Sequence, residues 1–108
     1  MRFQIAGILL DACVLGVLSV IPTYGYDLTQ KIQASIDVSE STLYPVLRRL
    51  LKDDFLSTYD EPFDGRNRRY YNITDKGKQA LGDYVLDWNE YKQRVEKLLT
   101  GGYLGEPS

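Results

Sequence analysis

Apolar positions recur along this chain with two different periods, and each change of period marks a new element. Residues 5–21 are apolar almost without a break, which predicts a first helix over roughly Ile5 to Val20, stopped by Pro22. Thr23 is placed to cap a short second helix, Tyr24 to Ala34, with Leu28 and Ile32 one turn apart on its inner face. Ser35-Ile36-Asp37-Val38 makes a turn, and Ser39 can cap a third helix. In that helix Leu43, Val46, Leu47, Leu50 and Leu51 follow the i, i+3, i+4, i+7, i+8 pattern of a buried stripe. Leu56 to Tyr59 and Arg68 to Ile73 then read as short strands, rich in Tyr, Thr and Ile. The loop between them, residues 60–67, holds the turn formers of an exposed hairpin. Thr74 ends the second strand and caps a last helix, about Asp75 to Leu99, with Asp75 at its positive end.

Pro45 is awkward in the third helix. Counted from a Ser39 cap it lies past the first turn, where proline is tolerated freely. Either the first turn is irregular or the helix effectively starts near Thr42.

The last helix would span ~37 Å at 1.5 Å per residue, long for so small a chain. Its apolar residues Leu81, Tyr84, Trp88, Tyr91, Val95 and Leu98 alternate spacings of three and four, the a/d seam of a coiled coil. A single domain offers no internal partner for such a seam, so these six residues are candidates for dimerisation. The fold expected is mostly α with a small β-hairpin: a winged helix-turn-helix over residues 1–74, a dimerisation helix over 75–100, and a flexible tail over 101–108.

Composition mainly removes alternatives. There is no histidine and one cysteine, Cys13, among the 108 residues. That excludes a Ser-His-Asp or Cys-His catalytic group, most zinc sites and any intramolecular disulfide, so neither enzyme, metal nor cofactor is expected. Cys13, set among Ala12, Val14 and Leu15 with no cation nearby, reads as buried packing rather than a redox sensor. The apolar run from residue 5 could pass for a signal peptide or membrane anchor. Asp11 within it, the interruptions at Gly7 and Gly16, and Pro22 argue instead for a buried helix, partly covered by another subunit. The chain is therefore expected in the cytoplasm.

Net charge is −2, which on its own speaks against nucleic acid, yet its distribution is uneven. Residues 44–78 hold eight Lys and Arg against six Asp and Glu, and the remainder holds five against nine. The basic side chains fall in two clusters, one on the outer face of the third helix and one in Gly65-Arg66-Asn67-Arg68-Arg69 of the hairpin. A basic helix followed by a basic hairpin can hold a major groove and the neighbouring backbone at once. The candidate DNA contacts are Tyr24, Ser41, Thr42, Tyr44, Pro45, Arg48, Arg49, Lys52, Arg66, Arg68 and Arg69. Ser41, Thr42 and Tyr44 are best placed for base edges or adjacent phosphates, and Arg48 for the backbone or a guanine edge. Arg66 is the first choice for a minor-groove or phosphate contact. Arg49 could point toward the hairpin or solvent instead, and Arg69 could pair with an acidic neighbour.

Leu15-Gly16-Val17-Leu18, Tyr24-Gly25-Tyr26-Asp27-Leu28, residues 41–50 with their Thr-Leu-Tyr-Pro block, and Gly65-Arg66 with Arg69-Tyr70-Tyr71-Asn72-Ile73-Thr74 and Gly77 resemble the PadR family of bacterial transcription regulators. Proline at position 45 is normal in that family. One departure is Asp54, before Phe55, where the family usually has glycine. The resemblance implies a homodimeric repressor that binds a roughly palindromic DNA operator and controls its own gene. The single short terminal helix is similar to the smaller, multidrug-sensing subtype, in which flat aromatic compounds stack between paired tryptophans. It implies a small-aromatic effector site at Trp88, with Tyr84, Asp87 and Tyr91 around it; a tryptophan on an apolar seam reads equally as plain core or interface packing. The rival reading is a protein-interaction module that uses the terminal seam and binds no DNA.

Overall fold

The computed structural model describes residues 3–5 and 7–105. Its elements are α1 (Gly7–Val20), β1 (Thr23–Tyr24), α2 (Gly25–Gln33), α3 (Glu40–Lys52), β2 (Leu56–Phe63), β3 (Arg66–Ile73), α4 (Asp75–Thr100) and a 3-10 turn over Gly102–Gly105. The three strands form one antiparallel sheet in the order β1-β3-β2. The expected helical fold with a small hairpin is the observed one, with the third strand added. Where an open tail is expected, the 3-10 turn follows α4; residues 106–108 lie outside the described residues.

The core lies where α1, α2, α3 and the base of the sheet meet. Leu10, Val14, Leu15 and Leu18 of α1 pack against Leu28 and Ile32 of α2, against Leu43, Val46, Leu47 and Leu50 of α3, and against Leu56 and Ile73. In α2 and α3 these are positions that the helical period singles out, apart from Leu51, which is half-buried; in α1 the unbroken apolar run does not distinguish the buried face. Gln33 Nε2 donates to the Val38 carbonyl (3.0 Å), which pins the turn between α2 and α3.

Three boundaries differ from expectation. Ile5 lies ahead of α1, which begins at Gly7. Thr23 does not cap α2: it pairs with Tyr71 in the sheet, and its hydroxyl donates to the Ile21 carbonyl. The cap position belongs to Tyr24, with no side-chain cap bond. The hairpin is longer than expected, because β2 and β3 pair all the way from Leu56↔Ile73 to Phe63↔Arg66. Asp64 (φ 50°) and Gly65 (φ 78°) alone make the turn. Two successive positive φ angles define a type I′ turn, whose twist matches that of paired strands, and Asp-Gly is a favoured pair for it.

Pro45 resolves against both alternatives. Ser39 caps α3, its Oγ accepting from Thr42 N–H at 3.2 Å, and the helix runs from Glu40 straight through the proline. Pro45 has no N–H to offer the Ser41 carbonyl, and both residues are exposed, so that lost bond falls on the solvent side of the helix.

The junction between α3 and α4 is tied at several points. Asp54 N–H donates to the Leu51 carbonyl and Phe55 N–H to the Leu50 carbonyl, the paired bonds of a Schellman stop. Thr74 Oγ1 donates to the Asp54 carbonyl (2.7 Å) and accepts from Gly77 N–H (3.0 Å). Lys76 Nζ donates to the Asp53 carbonyl (2.9 Å) and lies over the Phe55 ring. Gly77 is buried, and a Cβ there would collide with the Phe55 carbonyl and lie 2.8 Å from Ile73 Cγ1. The long last helix therefore leaves the end of α3 at a fixed angle.

Candidate nucleic-acid interface

The inner stripe of α3 is taken up by the core, so its opposite face is left to solvent. Ser41, Tyr44, Pro45, Arg48 and Lys52 recur on that face at helical spacing, and all are exposed. Ser41 Oγ and Thr42 Oγ1 lie 2.9 and 3.0 Å from the capping Ser39 Oγ, which groups three hydroxyls at the positive end of the helix. Arg48 and Lys52 form no ion pair among the described residues and are left available to an anion.

Arg49 is different. Successive helix positions are about 100° apart, which rolls this side chain out of the Arg48 face and toward α1. Its Nη2 donates to Asp11 Oδ1, and the pair is an ion pair. Asp11 is buried in the middle of α1. Burial pushes its carboxyl above the usual carboxylate range, and the Arg49 guanidinium pulls it partly back. Arg49 is thus no open DNA contact in this structure, and the reading that places it with Arg48 is corrected. Its side chain reaches α1 rather than the hairpin and stays about half exposed to solvent.

The hairpin sorts its arginines in the same way. On one side of the sheet the register places Phe63, Arg66, Arg68, Tyr59, Tyr70 and Tyr24 together. Tyr59 stacks on Tyr70 with centroids 5.3 Å apart, and Tyr24 tilts against Tyr70 at 6.1 Å. The Arg68 guanidinium lies between two rings, 3.4 Å from the Phe63 centroid and 4.5 Å from that of Tyr24. It braces the hairpin face and is half-buried, so Arg68 and Tyr24 are engaged with each other. Arg69, on the other side, reaches Asp60 at 3.5 Å, as its acidic cross-strand neighbour suggests. Arg66, beside the turn, is exposed and unpaired among the described residues. The open cations of the two clusters are therefore Arg48, Lys52 and Arg66.

A second feature lies between α1 and α4. Ile8, Leu9 and Ala12 face Tyr84, Asp87, Trp88 and Tyr91 across an apolar cleft of about 480 Å³. All four residues named for an effector line it. Trp88 is 40% exposed and Tyr91 63%. The dimerisation set divides: Leu81 and Tyr84 already pack on the chain's own core, whereas Leu98 is 67% exposed. The chain's own core thus covers the start of the seam, Trp88 and Tyr91 border the cleft, Val95 is half-buried, and Leu98 is left exposed.

The sequence profile of the PadR-like family of transcriptional regulators matches residues 14–83. The chain belongs to that family. A Streptococcus mutans protein of known crystal structure is 36% identical and superposes with a TM-score of 0.86, over 94% of this chain and 95% of its own. The crystal structure of a PadR-like transcriptional regulator from Bacillus cereus is 33% identical with a TM-score of 0.77, over 84% and 91%. An uncharacterised protein of Lysinibacillus sphaericus is 34% identical over 85% of this chain and 89% of its own length.

Membership makes the chain a transcriptional regulator and favours DNA over the interaction-module reading. Among the described residues no helix is long and apolar enough to cross a membrane. Sequence reasoning missed Asp11 as a partner of Arg49, Phe63 as a partner of Arg68, and the α1 wall of the cleft. The first had a signal, since an acidic residue in an otherwise apolar helix needs a cation somewhere in the fold.

Proposed function

We propose that this PadR-like regulator is a homodimeric, autoregulating repressor. The outer face of α3 enters the major groove, with Ser41, Thr42 and Tyr44 toward base edges and Arg48 and Lys52 on phosphates. Arg66 at the hairpin turn reaches the adjacent backbone or minor groove. Two such heads, joined through the far part of α4, would meet half-sites about 34 Å apart and so a roughly palindromic operator. The observation that carries this reading is that Arg48, Lys52 and Arg66 are free of partners among the described residues while Arg49, Arg68 and Arg69 each have one within the chain.

The cleft supports the effector half of the proposal. Its walls are apolar and aromatic, and Asp87 among its lining residues favours a flat, cationic aromatic compound. Such a ligand changes DNA affinity only by preferring one arrangement of the two heads.

Fluorescence anisotropy with DNA from upstream of the protein's own gene, at several salt concentrations, tests the reading. Saturable binding far above that of a scrambled duplex, weakening steeply with salt, is expected. No binding at low salt would refute it. Quenching of Trp88 fluorescence by a planar aromatic cation is the matching test of the cleft.

A further inference from the structure

Among the described residues Asp11 is the only buried charged side chain, at 6% exposure. A carboxylate in that position disfavours folding unless it is paired, and even a paired one is often matched or exceeded by an apolar side chain of similar size. The α1–α3 interface is already closed by leucines and valines, so packing does not call for an ion pair there. What an ion pair adds is direction. Leu43, Val46, Leu47 and Leu50 present a smooth apolar stripe, over which α3 could roll by several degrees with little loss of contact. A charge-assisted bond from Arg49 Nη2 to Asp11 Oδ1 does not tolerate that roll. It joins the first core helix to the third across 38 positions of sequence, and Arg49 is the immediate neighbour of Arg48.

We propose that Arg49 and Asp11 are positioning residues for DNA recognition: their ion pair sets the rotation of α3 about its axis, and thereby aims Tyr44, Arg48 and Lys52. The inference rests on the DNA-binding reading above. In it Arg49 adds no phosphate contact of its own. The rival is that Arg49, whose side chain is 48% exposed, releases Asp11 on binding and swings to a phosphate.

The two ideas predict opposite signs. A duplex selected by the wild-type protein from a random-sequence pool serves as the probe, with a scrambled duplex beside it. If the pair positions α3, Asp11→Asn and Arg49→Met each weaken binding to the selected duplex roughly tenfold, and the double variant weakens it no further, as coupled residues do. The salt slope stays at its wild-type value, and the preference over the scrambled duplex falls with the affinity. If Arg49 contacts a phosphate, Asp11→Asn tightens binding by releasing it, while Arg49→Met lowers the slope by about one. Either of those results overturns the proposal, as does unchanged affinity in both variants. A thermal melt identifies any variant that fails to fold, and the slope of Arg49→Met and the sign for Asp11→Asn are separate readouts. A pool that yields no duplex at all sinks the DNA-binding reading and this assignment together, whereas a wild type that selects DNA leaves only the assignment under test.

Discussion

The part of α4 up to Tyr84 and the part beyond it carry the same alternating spacing of apolar residues, yet their surroundings differ. In the first part Gly77 is buried against the α3–β2 turn, and Ala80, Leu81 and Tyr84 pack on the core. In the second, Trp88, Tyr91, Leu98 and Leu99 are exposed on a helix that helps draw the molecule out to 64 Å along its long axis. A heptad-like repeat states that a face will be covered. It does not state by what: here the chain covers the first part itself, and the second calls for a surface from elsewhere.

The sharpest way to break the anchored part is Gly77→Ala. One methyl group would have to displace either the Phe55 carbonyl or the Ile73 side chain, and Phe55 is held by its own bonds to Leu50 and Thr74. Overpacking at a site with so little give costs about 3 kcal/mol. A thermal melt should fall by well over 10 °C on the scaling for small domains. A variant that melts within 2–3 °C of wild type would show that the junction yields, contrary to the rigid exit of α4 described above.

The exposed part is probed by Leu98→Glu. If a second copy covers this face, each dimer must bury two carboxylates near the seam, and the dissociation constant should rise at least about tenfold. Sedimentation equilibrium reads that change, while the helical circular dichroism stays as in wild type. A variant as dimeric as wild type would remove Leu98 from the interface and leave the cleft near Trp88 to carry it. The two substitutions thus act on one helix with different readouts, the first on folding and the second on association.

The same contrast explains what was legible in the sequence. Core positions of α3 and the Ser39 cap follow from local spacing and local chemistry, and both stand in the fold as expected. The full hairpin did not show, because β2 is buried only at Leu56 and therefore carries no alternation of apolar and polar residues. Its pairing comes from β3 and from the Asp64-Gly65 turn, and Pro62 is accommodated because β2 is an edge strand. Strand β1 has two residues, too few for any period to register. The candidate interface was legible as a set of cations but not as a choice among them. Arg48 and Arg49 look alike in sequence, and only the fold reveals that one has Asp11 beside it. Likewise Arg68 is assigned by Phe63, its diagonal neighbour across the hairpin, a relation that depends on knowing the register.

The smallest expected effect concerns Asp54, the departure from the family pattern. Its φ of 61° is left-handed, the conformation a Schellman stop requires of the residue just past the helix. Glycine adopts it without steric penalty, whereas an L residue there loses roughly 1 kcal/mol, aspartate somewhat less. Glycine also gains freedom in the unfolded chain, which offsets part of that advantage. Asp54→Gly should therefore stabilise the head by about 0.5 kcal/mol, read as a small rise in the urea midpoint at unchanged slope. Asp54→Asn separates the backbone from the charge, since asparagine also tolerates this conformation but removes the carboxylate. If Asn gains as much as Gly, the benefit comes from removing a negative charge next to Asp53. If neither gains, the ties from Thr74 and Lys76 already hold the α3 stop so firmly that its local strain no longer limits the fold.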